Sequence, residues 1–140
     1  MILYHINLGY PLVSEDSKLT LPPHTTKPRD PVAEANPDYL SFGPPSAGYE
    51  PRVYYHQLDT SQEKVTINLA GGGLNFNLSY SPQQLPRLAQ WKLFGQGSYV
   101  MGIEPANCYV DGRDKERAAG TLAFLKPGEK KRYELEFSLR

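Results

Sequence analysis

Along this 140-residue chain the apolar positions alternate far more often than they recur at helical spacing. Leu74-Asn75-Phe76-Asn77-Leu78-Ser79-Tyr80 alternates strictly, the period-2 mark of a strand whose two faces meet different surroundings. Val65-Thr66-Ile67-Asn68-Leu69 does the same, and Gly71-Gly72-Gly73 reads as the hairpin connection between the two runs. Further strands are predicted over residues 2–8, 18–21, 53–58, 88–94 and 99–103, short runs rich in aromatic and β-branched residues and mostly bounded by glycine or proline. Near the end, 121–125 and 133–139 flank Lys126-Pro127-Gly128-Glu129 and read as a terminal antiparallel hairpin. Helical signals are few. Asp30 is placed to cap a single turn from Pro31 to Glu34, with proline at the first helical position, and 111–119 has the composition of one or two surface turns. Prolines at 22, 23, 28, 31, 37, 44, 45 and 51 make 22–52 a long irregular connection. Short strands with turns throughout predict an all-β fold, an antiparallel sandwich or barrel, in one domain spanning 1–140.

Composition narrows the function classes. Fifteen basic and fifteen acidic side chains give zero formal charge, and no long run of either sign marks a surface for a phosphate backbone. A nucleic-acid partner is therefore not expected. Cys108 is the only cysteine, which excludes an internal disulfide framework and any CxxC metal or redox motif, and suits a reducing compartment. The opening MILYHINLGYPLV is interrupted by His5 and Asn7 and lacks the basic start of a secretory signal. No stretch has the apolar length of a membrane span, so the expectation is a soluble, cytoplasmic protein with no membrane partner. The three glycines are not a phosphate loop, because no helix pattern and no Lys-Ser/Thr pair follows them.

The candidate chemistry begins at YVMGIEPANC, residues 99–108. Glu104 follows an apolar run directly, where a carboxylate is costly unless it is paired or functional. It is either a strand end pointing into water or a general base. His5, on the first predicted strand, is either a core histidine bonded to backbone or a proton donor. Cys108 has no flanking cation and reads as a small buried hydrophobe.

YHINLGYP at 4–11, QWKLFGQGSYVMGIEPANC at 90–108 and TLAFLKPGEKKRYELEF at 121–137 together resemble the C-terminal half of an uncharacterised family in the galactose mutarotase-like (aldose 1-epimerase-like) superfamily. The resemblance implies the C-terminal part of a galactose mutarotase-like supersandwich. It implies a sugar or sugar derivative as ligand, with no metal and no cofactor. It also implies His5, in a strand shared with Asn7, as catalytic acid and Glu104 as catalytic base. Around that pair, Arg29, Asp30, His56, Gln90, Trp91, Lys92 and Asn107 are candidate substrate contacts beside Asn7, with Arg29, Lys92 and Arg113 available to anchor a charged group. Arg29 and Asp30 read equally as a surface ion pair and helix cap. Of the aromatics Tyr4, Tyr54, Tyr55, Trp91 and Tyr99, Trp91 is expected to line the cleft while the others serve as core. Members of the superfamily are considerably longer, so the resemblance also implies an absent N-terminal half. Open strand edges would then be completed by that half, a homodimer partner or another subunit. The rival readings are a carbohydrate-binding module without turnover and a structural remnant.

Overall fold

The computed structural model describes all 140 residues, which form two antiparallel sheets packed face to face. One sheet has five strands in the order β1 (Ile6–Gly9), β8 (Ser98–Ala106), β7 (Arg87–Gly95), β4 (Arg52–Leu58) and β3 (His24–Pro28). The other has four, in the order β2 (Lys18–Thr20), β5 (Val65–Gly71), β6 (Leu74–Tyr80) and β9 (Leu135–Leu139). The all-β antiparallel fold expected from the sequence is what forms.

Period-2 alternation sets the core. Val65, Ile67 and Leu69 of β5 and Phe76, Leu78 and Tyr80 of β6 are buried and meet Leu8, Leu88, Phe94, Met101 and Ile103 from the opposite sheet. Each large apolar side chain taken from water here contributes roughly 1.5–3 kcal/mol. The β5–β6 connection is the predicted glycine hairpin. Gly72 and Gly73 both adopt positive φ, 56° and 76°, as the tight turns that match strand twist require. A Cβ on Gly71 or Gly72 would collide with the carbonyls of Leu12 and Pro11, so the hairpin closes only because these positions are bare.

Three local expectations are corrected. The proline-rich stretch 22–52 is not wholly irregular, since it contains β3 and the turn α1 (Pro31–Glu34). Prolines fall at its boundaries, and β3 is an edge strand, where a missing donor is tolerated. The terminal hairpin does not form: 121–125 is irregular, and β9 pairs with β6 instead, Phe137 opposite Leu78. Its alternation was readable, but its partner is distant in sequence. Finally, β8 does not stop at Ile103. It runs through Glu104 and Pro105 to Ala106, with Leu88 opposite Pro105, and the Pro105 carbonyl accepts a hydrogen bond from the Tyr4 amide at 3.0 Å. The second short helix, α2 (Arg113–Ala118), falls where the sequence placed it.

The segment from Asn36 to Ser46 crosses the inner face of the five-stranded sheet as a strap, held by its own carbonyls. Lys92 Nζ donates to the carbonyls of Ser41 at 2.7 Å and of Asp38 and Tyr39 at 3.3 Å. Gln90 Nε2 donates to Tyr39 O at 2.8 Å, Tyr99 Oη to Gly43 O at 2.6 Å and Tyr54 Oη to Asn36 O. The segment's residues are exposed or half-buried, but its carbonyls turned toward the sheet lose water and need partners, which these side chains supply. Burial, with the Arg52 guanidinium adding to it, lowers the Lys92 ammonium to about 8. Replacing Lys92 with Met would leave the Asp38, Tyr39 and Ser41 carbonyls without that donor, a loss of about 1–3 kcal/mol. Urea unfolding should show that loss, and amide exchange should quicken in 36–46 but not in β5 or β6. Unchanged exchange in the strap would contradict this anchoring role.

Candidate active site

Alternation along β8 sends Met101, Ile103 and Pro105 inward and Gly102 and Glu104 to the outer face of the five-stranded sheet. On β7 the same rule sends Leu88, Gln90 and Lys92 inward and Ala89 and Trp91 outward; on β4 it sends Tyr54 and His56 inward and Val53 and Tyr55 outward. The outer face at β1–β8–β7 therefore gathers Glu104, Trp91 and, from the residue before β1, His5. Ile6 pairs with Ile103, which sets His5 across from Glu104.

His5 Nε2 lies 3.0 Å from Glu104 Oε1. The two groups differ sharply in surroundings: the Glu104 side chain is 5% exposed and that of His5 45%. Trp91 stands edge-on to the imidazole, centroids 5.9 Å apart at 66°. Behind them Val53, Tyr55 and Ala89 form a small apolar cluster against which Trp91 and Tyr109 pack. The result is an open cleft of about 310 Å³, bounded by His5, Glu104, Trp91, Arg29, Val53, Leu3 and Val110. Burial raises the Glu104 carboxyl above the ordinary carboxylate range, and the positive charges of His5 and then Arg29 pull it partly back.

Arg29 reaches the cleft from the end of β3, where its amide donates to Val53 O at 3.0 Å. Its guanidinium is held by Asp30, with Nη2–Oδ2 at 2.7 Å and Nε–Oδ2 at 2.9 Å. Asp30 in turn caps α1, accepting the Ala33 amide at 3.0 Å, and that bond, with the Arg29 contact, holds its carboxyl below the usual range. Asp30 thus stands behind Arg29 rather than in the cleft. Asn7 follows His5 on the same exposed side of β1, paired with Gly102.

Four other candidates lie elsewhere. His56, Gln90 and Lys92 face the interior, on the opposite side of the sheet from His5 and Glu104. His56 is fully buried, bonded through Nδ1 to Thr26 Oγ1 at 2.9 Å and through Nε2 to Gln90 Oε1 at 3.0 Å. Burial lowers it to about 4, so it is neutral near pH 7. Gln90 and Lys92 hold the strap. Asn107 fastens the chain's start to its later part: its side chain accepts the Ile2 amide at 2.8 Å and donates to Tyr133 Oη at 3.0 Å. Arg113 is exposed on α2 and does not line the cleft, while Cys108 is buried as read. The walls supplied by Leu3, Val53 and Val110 were not foreseen. Val53 had a signal, because it alternates with Tyr54 and so faces away from the core.

No group of three or more His, Cys, Asp or Glu side chains is arranged to hold a metal ion, and no helix is long and apolar enough to cross a membrane. No curated protein matches the chain. Among solved structures, a crystal structure of a candidate aldose 1-epimerase from Klebsiella pneumoniae subsp. pneumoniae is similar, with a TM-score of 0.90 at 23% sequence identity. The match covers 98% of this chain and 37% of that one, so the chain spans little more than a third of that protein's length. At that identity the likeness establishes the fold, an aldose 1-epimerase-like β-sandwich. Residues 1–139 match the family described as a domain of unknown function, DUF4432, and the chain belongs to that family.

Proposed function

We propose that the outer-face cleft binds a sugar and interconverts its anomers, as the fold's likeness to a candidate aldose 1-epimerase would lead one to test. The observation that carries the reading is a nearly buried carboxylate, Glu104, in contact with the half-exposed imidazole of His5 beside an indole. Ring opening requires one proton to leave the anomeric hydroxyl and another to reach the ring oxygen. Both oxygens are bonded to C1, so an acid and a base standing side by side can address them together. Glu104 takes the hydroxyl proton and His5 delivers one to the ring oxygen; the C1–C2 bond rotates; the ring recloses as Glu104 gives its proton to the carbonyl oxygen and His5 takes one back from the attacking hydroxyl. Burial suits Glu104 to the role of base, because a carboxyl raised toward the working pH accepts a proton more readily. Trp91 offers a flat apolar face to the C–H side of the ring. Arg29, steadied by Asp30, and Asn7 are the polar groups at the rim that contact hydroxyls or a charged substituent.

A carbohydrate-binding module without turnover is the second reading, favoured by the openness of a cleft built on one sheet face, since tight small-molecule sites are more enclosed. Exchange between α and β anomer signals in NMR, over a panel of aldoses, separates the two. The epimerase reading expects faster exchange, lowered at least about 100-fold in Glu104→Gln with sugar binding retained; binding without exchange in the unaltered protein would replace it with the module. The sign of the pH dependence follows from the raised Glu104 carboxyl. The base must be ionised, so the rate rises with pH along an acid limb lying above the ordinary carboxylate value.

We also propose that another polypeptide, a second copy or a different subunit, pairs along β9. This strand is a sheet edge whose Phe137 and Leu139, on the face shared with Leu78 and Phe76, are 52% and 60% exposed. Open edges with an uncovered apolar face recruit strands. Sedimentation of the purified chain should show self-association or, in the presence of its partner, a complex; a monodisperse monomer under both conditions would refute the pairing.

A further inference from the structure

Gly102 sits in the middle of β8, paired with Trp91 on one side and Asn7 on the other. Its backbone does not require glycine, for it lies in regular strand and outside the set of glycines with positive φ. A glycine in a strand interior weakens the strand and frequently marks a place where something approaches closely. The approaching groups here are those of the cleft. A Cβ at position 102 would lie 2.6 Å from Glu104 Oε1, 3.2 Å from His5 Cε1 and 3.2 Å from Trp91 Cβ.

Resting on the proposed role of Glu104, we propose that Gly102 is a positioning residue of this site: its missing side chain is the space into which the Glu104 carboxylate folds back to meet His5. Glu104 and Gly102 stand two apart on one face of β8, so the carboxylate reaches the imidazole by lying over the Gly102 Cα. The indole of Trp91 closes the far side, and its Cβ is fixed by backbone. The Glu104 side chain is the member of the trio with a flexible end. A methyl at 102 would therefore drive the carboxylate off His5 and toward water.

Gly102→Ala tests this, with Val100→Ala as a control on the same strand face outside the cleft. Two readouts are taken: the Glu104 carboxyl titration in the free protein by carbon NMR, and the anomer exchange of a bound aldose. In Gly102→Ala the Glu104 carboxyl should titrate nearer the ordinary carboxylate value as burial is lost. The kcat for exchange should fall at least about tenfold with KM little changed, while Val100→Ala leaves both readouts as they were. The titration is read without substrate, so it stands even if the unaltered protein shows no exchange. That outcome would sink the epimerase reading and leave the positioning claim to the titration alone. A Gly102→Ala protein whose Glu104 titrates as before overturns the proposal. If Gly102→Ala does not fold, Gly102→Ala with Glu104→Ala should, because the one group that the methyl would meet closer than 3 Å is gone; failure of that double variant to fold would also overturn it.

Discussion

The cleft depends on one register. Ile6 faces Ile103 across β1 and β8, and Gly102 faces Trp91 across β8 and β7. Because side chains alternate with period 2, a one-residue slip between β8 and β7 would send Glu104 into the core and Ile103 into water, and one between β1 and β8 would turn His5 inward and Leu8 outward. The apolar demand of the inner face, where Met101 and Ile103 are fully buried, therefore holds the carboxylate on the outer face. Positions that do no chemistry thus fix the place of those proposed to do it. His5 stands next to Glu104 for the same reason, since β1, which buries Leu8, can satisfy the core in only one registration.

Two polar systems divide the five-stranded sheet between them. On the inner face Gln90 and Lys92 hold the strap through its backbone carbonyls, and His56 is bonded to Thr26 and Gln90. On the outer face Glu104, His5 and Arg29 are gathered with fewer fixed partners and an open approach. Buried polar groups that are fully satisfied stabilise one structure; groups left with unused capacity facing a cleft are available to a ligand. This distinction separates the two histidines more clearly than their sequence surroundings do. His56 is locked between Thr26 and Gln90, whereas His5 has one charged partner and nearly half of its side chain in water.

Much of the fold was readable from alternation alone, above all β5, β6 and the glycine turn between them. The pair His5 and Glu104 drew attention through residue type and resemblance, and they do come together. Gln90, Trp91 and Lys92 show where reading stopped short. Three consecutive residues of a strand cannot all face one cleft, and period 2 separates Trp91 from its neighbours. Assigning each to a face required knowing that Leu88 and Phe94 point inward. What sequence could not supply was non-local pairing: that β9 would choose β6 over its own neighbour, that β3 would emerge from a proline-rich stretch, and that the strap would need Lys92. Asn107 likewise looked like a sugar contact until the Ile2 amide and Tyr133 hydroxyl were seen to use its side chain.

In the proposed function a sugar meets the outer face of the sheet, beside Trp91, and not the polar inner face beneath the strap. Amide and indole resonances followed in a nitrogen–proton NMR spectrum during titration with an aldose distinguish the two faces. Shifts are expected at the Trp91 indole N–H and the amides of His5, Glu104 and Arg29, with Tyr39, Ser41 and Lys92 unmoved. Shifts confined to the strap and Lys92 would rule out the outer-face site.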